Sequence, residues 1–171
     1  MKKIFVTFIA IVLSVFAVNA QKYAYVDTEY IMNNIPLYET AKQQLDELSG
    51  QWQSEVDEAK NQVEKLYQDF QAEKVFLTEE QKIKREDEVV QNEKELRNLQ
   101  QKYFGREGML FSKRKELLKP IQDDIFNAVK EIAQEGNFAV IFDTANSLNM
   151  LYTDPKHDKS DDVLRKLGYK N

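Results

Sequence analysis

Between Leu37 and Phe70 the apolar residues keep a strict beat. Leu37, Ala41, Leu45, Leu48, Trp52, Val56, Ala59, Val63, Leu66 and Phe70 each follow the last by three or four positions. The positions between them are mostly Glu, Gln, Lys and Asp. Such a seam specifies a long amphipathic helix that packs along a partner of the same kind. A helix from Leu37 to Phe76 is about 60 Å long at 1.5 Å per residue, which makes it an arm rather than a strut inside a compact core.

The partner lies further along the same chain. Thr78 followed by Gln81 is a capping-box pattern, so one helix stops near Leu77 and a second starts there. The return seam runs through Ile83, Val89, Val90, Leu96, Leu99, Tyr103, Leu110, Leu117, Ile121, Ile125, Val129 and Ile132. It is weakest between Ile83 and Val89. Gly105 and Gly108 predict a bend. Pro120 predicts a kink or the start of a last helical segment. Gly50 lies off the first seam and is a soft spot, costing about 1 kcal/mol of helix propensity. These four residues are the hinge candidates. Glu135-Gly136-Asn137 is a stop signal.

Short apolar segments flank this hairpin. Gln21 to Asp27 reads as a strand with Tyr23 and Tyr25 on one face and Ala24 and Val26 on the other. Asp27 or Thr28 caps a short helix that ends before Pro36. Phe138 to Asp143 is the clearest strand, and Met150 to Thr153 reads as a further strand that pairs back on it. Ser160 is expected to cap a final helix that ends at Gly168. The fold class is therefore α+β, mostly α: a long antiparallel coiled-coil hairpin on a small β body. The divisions are 1–20, 21–36 for the first strand and short helix, 37–136 for the arm with its tip near 75–78, and 137–171 for the closing strands and helix.

Residues 1–20 form a separate object. Lys2 and Lys3 precede an apolar run from Ile4 to Val18 and small residues at Val18-Asn19-Ala20, the three-part pattern of a secretory signal cleaved after Ala20. The run is shorter than the roughly 20 residues a membrane span needs. An exported chain is free to use disulfides, yet this one has no cysteine. Its stability must come from burial or association, and Cys-based redox chemistry or metal binding is excluded. Removing the signal takes the formal net charge from −5 to about −7. That balance argues against nucleic acid, where binding rests on neutralised phosphates.

No catalytic set is visible. The single histidine, His157, reads as a solvated loop residue beside Asp154 and Asp158 rather than a metal ligand or base. Asp27 and Asp143 end strands, where capping or turn formation accounts for them. No enzyme, cofactor or metal is expected. What remains is apolar surface. Most of the seam must pack internally. The tip residues Val75, Phe76 and Leu77, with Tyr67 and Trp52 on the flanks, are candidates for contact with a partner. Three short strands cannot close a sheet, and open edges invite pairing. Tyr23, Tyr25, Val26, Phe138, Val140, Phe142, Leu151 and Tyr152 are therefore the candidate residues of an oligomeric body.

The order of these segments resembles the Skp/OmpH family of periplasmic chaperones for outer-membrane proteins. The resemblance rests on Ala24-Tyr25-Val26-Asp27 through Ile31 to Pro36, on Phe138 to Asp143, Leu151-Tyr152 and Asp158 to Leu167, and on the hairpin between them. It implies a homotrimer whose strands build a shared body, with three arms around a cavity for unfolded outer-membrane β-barrel proteins. It implies binding without ATP and a periplasmic location. The family's best-known members are basic, and their positive arm ends are linked to lipopolysaccharide and anionic membranes. This chain is acidic, and Lys74, Lys82, Lys84 and Arg85 are matched by Glu73, Glu79, Glu80, Glu86 and Asp87. No lipopolysaccharide or membrane contact is carried over. The alternative reading is a structural coiled-coil adaptor or spacer of the cell envelope that binds one folded partner.

Overall fold

A computed structural model describes residues 22–145 and 150–169. The expected secretory signal over 1–20 lies outside these residues, as does part of the polar turn at 144–149. The described chain is mostly helical. It divides into two compact units, one of Pro36–Asp123 and one built from the residues on either side.

The second unit, the body, begins with strand β1, Lys22–Val26. Ala24 and Val26 turn inward and are buried, while Tyr23 lies outward, as period-two alternation requires. Helix α1, Thr28–Asn33, follows. Asp27 caps it by accepting from the Tyr30 amide at 2.9 Å. Strand β2, Phe138–Asp143, lies parallel to β1 with Tyr23 opposite Val140 and Tyr25 opposite Phe142. A parallel pair needs a long crossover, and here the crossover holds the whole arm. Asp143, at the end of β2, accepts from the Thr28 amide at 3.2 Å and from its hydroxyl at 2.8 Å. The two strand-ending aspartates thus both serve the start of α1.

The expected strand over Met150–Thr153 is not formed, and the sheet has two strands among the described residues. The second edge of β1 is occupied instead by the segment around Asp158. Tyr25 and Asp158 form an isolated bridge, and the Lys159 amide donates to the Tyr25 carbonyl at 2.8 Å. Leu151 is fully exposed.

A 3-10 turn at Pro155–His157 leads into a last helix, Ser160–Lys166. Ser160 is not its cap. Its hydroxyl is buried, accepts from the Asp27 amide at 2.9 Å and donates to Asp158 at 2.6 Å. Gly168, at φ 82°, closes the helix: the Tyr169 amide reaches the Leu164 carbonyl and the Gly168 amide that of Arg165, a Schellman arrangement.

The arm unit opens with helix α2, Pro36–Glu73, for which Pro36 is a good first residue because its missing amide has no helical partner there. Helix α3, Glu79–Phe104, returns. Both halves of the capping box at Thr78 are present: the Gln81 amide donates to Thr78 Oγ1 at 3.4 Å and Gln81 Oε1 accepts from the Thr78 amide at 2.9 Å. The third helix, α4, is Met109–Gly136, which makes Ser160–Lys166 α5. The return strand of the hairpin is therefore two helices. The bend at Gly105–Gly108 is a true interruption, whereas Pro120 starts no new segment and lies inside α4. A Cβ on Gly108 would meet the Tyr103 carbonyl at 2.8 Å and the Gly105 nitrogen at 2.9 Å, so the turn requires glycine. Past α4, Asn137 takes the left-handed conformation at φ 51°.

Candidate functional site: the arm surface

The seam packs as its period demands, with Ala41, Leu45, Trp52, Val56 and Phe70 of α2 buried, and Val89 and Tyr103 of α3. Leu37, the first member, is exposed. The tightest knot is Trp52, Val56 and Tyr103, with Leu48, Leu96, Leu99 and Leu110 against it. The Trp52 and Tyr103 rings stack at 5.2 Å between centroids and 5° between planes. Tyr103 donates its hydroxyl to Glu55 across the hairpin at 2.5 Å. That bond holds the Tyr103 pKa above the ordinary tyrosine value, with burial and the carboxylate charge acting in the same direction.

Trp52 is therefore an internal residue. Only 7% of it is exposed, so it offers no surface to a partner while the hairpin is closed. The other members of the set fare differently. Phe76 is 86% exposed and Val75 is 80% exposed at the tip, Tyr67 is 53% exposed on α2, and Leu77 is half-buried. On α3, two seam residues that the sequence places inside lie outside: Ile83 and Val90 are each nearly 60% exposed. Val89, one position earlier, takes the seam.

Charge at the tip is internally consumed. Lys82 pairs with Glu79 at 2.6 Å, Lys84 with Glu80 at 3.3 Å and Lys74 with Glu86 at 4.0 Å. Arg85 reaches Glu88 at 3.0 Å and Glu73 at 3.2 Å. The hydrogen bond from Lys82, with its charge, lowers the Glu79 pKa. The hydrogen bond to Glu88 and the charge of Glu73 raise that of Arg85. All four basic residues of the tip thus have carboxylate partners within the arm.

In the body, Tyr23, Val140 and Phe142 are about half exposed, Leu151 and Tyr152 almost wholly so, and Tyr25 and Phe138 partly buried. Val26 is enclosed in the body's own core. His157 is not a solvated loop residue. Its ring stacks on Tyr23 at 4.9 Å, and its Nδ1 is buried without a hydrogen-bond partner. A cleft of about 630 Å³ beside Ile132 and Phe138 is rimmed by Lys22, Lys159, Arg165 and Lys166. Those last three are tied to carboxylates: Lys166 to Glu131 and Glu135, and Lys159 and Arg165 to Asp162. Among the described residues no group of three or more His, Cys, Asp or Glu side chains could hold a metal ion. Nor is any helix long and apolar enough to cross a membrane.

The described residues thus hold a coiled hairpin with an exposed apolar tip and a small sheet of two parallel strands. The model of the family described as outer membrane protein (OmpH-like) matches residues 22–167, and the chain belongs to that family. No curated protein matches it. Among solved structures it is similar to a chain from Caulobacter crescentus provisionally named an OmpH-like outer membrane chaperone. The TM-score is 0.65 at 11% identity, covering 86% of this chain and 83% of that one. At that identity the likeness is one of fold.

Proposed function

We propose that this protein is a periplasmic holdase chaperone that binds unfolded outer-membrane β-barrel proteins without ATP and keeps them from aggregating. The observation that carries the reading is the tip: Val75 and Phe76 are 80% and 86% exposed at the end of an arm whose seam residues Ala41, Leu45, Trp52, Val56, Phe70, Val89 and Tyr103 are buried. Family membership and the fold support it. An unfolded β-barrel protein exposes apolar strands that pair with one another, and apolar surface presented on an arm competes with that pairing. The mature chain begins at Gln21 after export. Copies associate as a homotrimer through the body, where β2 has no strand on its outer edge among the described residues and half-exposed Val140 and Phe142 lie along it. A two-stranded sheet is marginal alone, which favours association. The ion pairing of Lys74, Lys82, Lys84 and Arg85 leaves the tip poorly suited to an anionic membrane.

The test is dilution of a urea-denatured outer-membrane β-barrel protein into buffer with a molar excess of the mature chain and no nucleotide. Turbidity should be suppressed. Unchanged turbidity would sink the proposal, and binding confined to one folded envelope protein would favour an adaptor instead.

A further inference from the structure

Ile83 and Val90 lie one heptad apart on α3, so they sit on one line along that helix. Cross-hairpin contacts set the register: Glu55 meets Tyr103, Glu73 meets Arg85 and Lys74 meets Glu86. Val90 is therefore nearly level with Tyr67, and Ile83 with Val75. The faces agree as well. Tyr67 is one residue past Leu66 of its seam, and Val90 one past Val89. In two right-handed helices that run in opposite directions, that step turns both side chains to the same broad side of the hairpin. One heptad further along α3 stands Arg97, paired with Glu93 at 3.5 Å, where the apolar line ends.

We infer that Tyr67, Ile83 and Val90 extend the tip into a strip down one side of the arm, and that this strip holds an extended apolar segment of an unfolded polypeptide. The inference rests on the chaperone reading and adds the residues and the face that do the holding. Two observations choose the occupant. With Val75 and Phe76, the strip offers on the order of 600 Å² of surface, less than the ~800 Å² per partner of a stable protein–protein interface. One arm's strip is too small to hold a folded partner or a second copy, and suits a weak, reversible grip on a flexible chain. Its bordering charges are also matched within the arm, as Lys84 with Glu80, Lys74 with Glu86 and Lys60 with Glu64. The strip therefore selects for apolar character rather than for charge.

The experiment uses the mature full chain and a fluorescently labelled, urea-denatured β-barrel protein diluted into it. The double variant Ile83→Ser/Val90→Ser should weaken client affinity about tenfold, by the same factor at low and high salt, while Ile83→Leu/Val90→Leu binds as wild type. Both positions are exposed, so helix content by circular dichroism should be unchanged. A second measurement does not depend on the serine variant. The chain has no cysteine, so Val90→Cys and Glu95→Cys, the latter on the other side of α3, can each carry a thiol-linked photocrosslinker. Position 90 should capture client several-fold more than position 95. Equal capture from both, capture of a second copy of this chain from position 90, or wild-type affinity in the serine variant would each overturn the strip while leaving the holdase reading intact. If the wild type holds no client at all, the holdase reading falls and the strip falls with it.

Discussion

At the scale of single residues, the arm is held by a few contacts that differ in kind. Trp52 fills the middle of the seam and stacks on Tyr103, so Trp52→Ala should cost about 3–5 kcal/mol, the usual range for removing a buried large aromatic. Urea unfolding followed by helix circular dichroism measures it; a loss under about 1 kcal/mol would mean the stack is incidental. Phe76, also aromatic but at the tip of the hairpin past the end of α2, should behave in the opposite way. Phe76→Ser should leave unfolding unchanged within about 0.5 kcal/mol, as exposed substitutions do, and lower client binding. Trp52 and Phe76 look alike in the sequence as candidate contact residues. Burial separates them, since only one face of each helix reaches the other and Trp52 is on it. His157 shows the same limit: a lone histidine among polar neighbours reads as solvated, and only the docking of the 155–158 segment on β1 brings it against Tyr23.

At the scale of elements, the interruptions of the hairpin are set by local chemistry. Thr78→Ala removes the oxygen that accepts the Gln81 amide and should cost about 1 kcal/mol, seen as faster amide exchange confined to the first turn of α3. Gly108→Ala forces a Cβ against the Tyr103 carbonyl and the Gly105 nitrogen and should cost upward of about 1 kcal/mol. A stabilised Gly108→Ala variant would show that the turn can straighten into continuous helix. Both interruptions were visible in the sequence because caps and glycines act through neighbours a few residues away. The fate of Met150–Thr153 was not. Its β-branched and aromatic composition suits a strand, but a strand exists only with a partner edge. The edge it was expected to join, the outer side of β2, carries no strand among the described residues, while β1 pairs with β2 on one side and meets the Asp158 segment on the other.

At the scale of the whole molecule, pH bears on ion pairs spread over both units. Asp154 lies below its ordinary pKa through its hydrogen bonds with Lys156. Burial pushes Asp162 up, but Lys159 and Arg165 together outweigh it and its pKa is lowered. Glu79 is lowered by Lys82. A carboxylate with a lowered folded pKa stabilises the fold at pH above its unfolded value, near 4, and that contribution is lost as pH falls through the folded value. Thermal melting should therefore be flat in these groups from pH 8 to about 5 and decline below about 4. Asp162→Asn should flatten that acid decline; an unchanged slope would place its origin elsewhere. Because these groups are mostly exposed, the effect should shrink in high salt.

The hairpin, the cap at its tip and the strands Lys22–Val26 and Phe138–Asp143 were legible in the sequence because each depends on periods, caps and composition within one stretch of chain. The matched charges of the tip were legible too, since the arm pairs each lysine or arginine there with a carboxylate either within one turn or straight across the hairpin. Tertiary structure decided what pattern alone leaves degenerate. Val89 and Val90 both fit an apolar repeat, and only packing against α2 chose Val89 for the seam and left Val90 in water. It likewise chose which segment lies beside β1, because strand pairing is a contest between segments far apart in the chain for one row of hydrogen bonds.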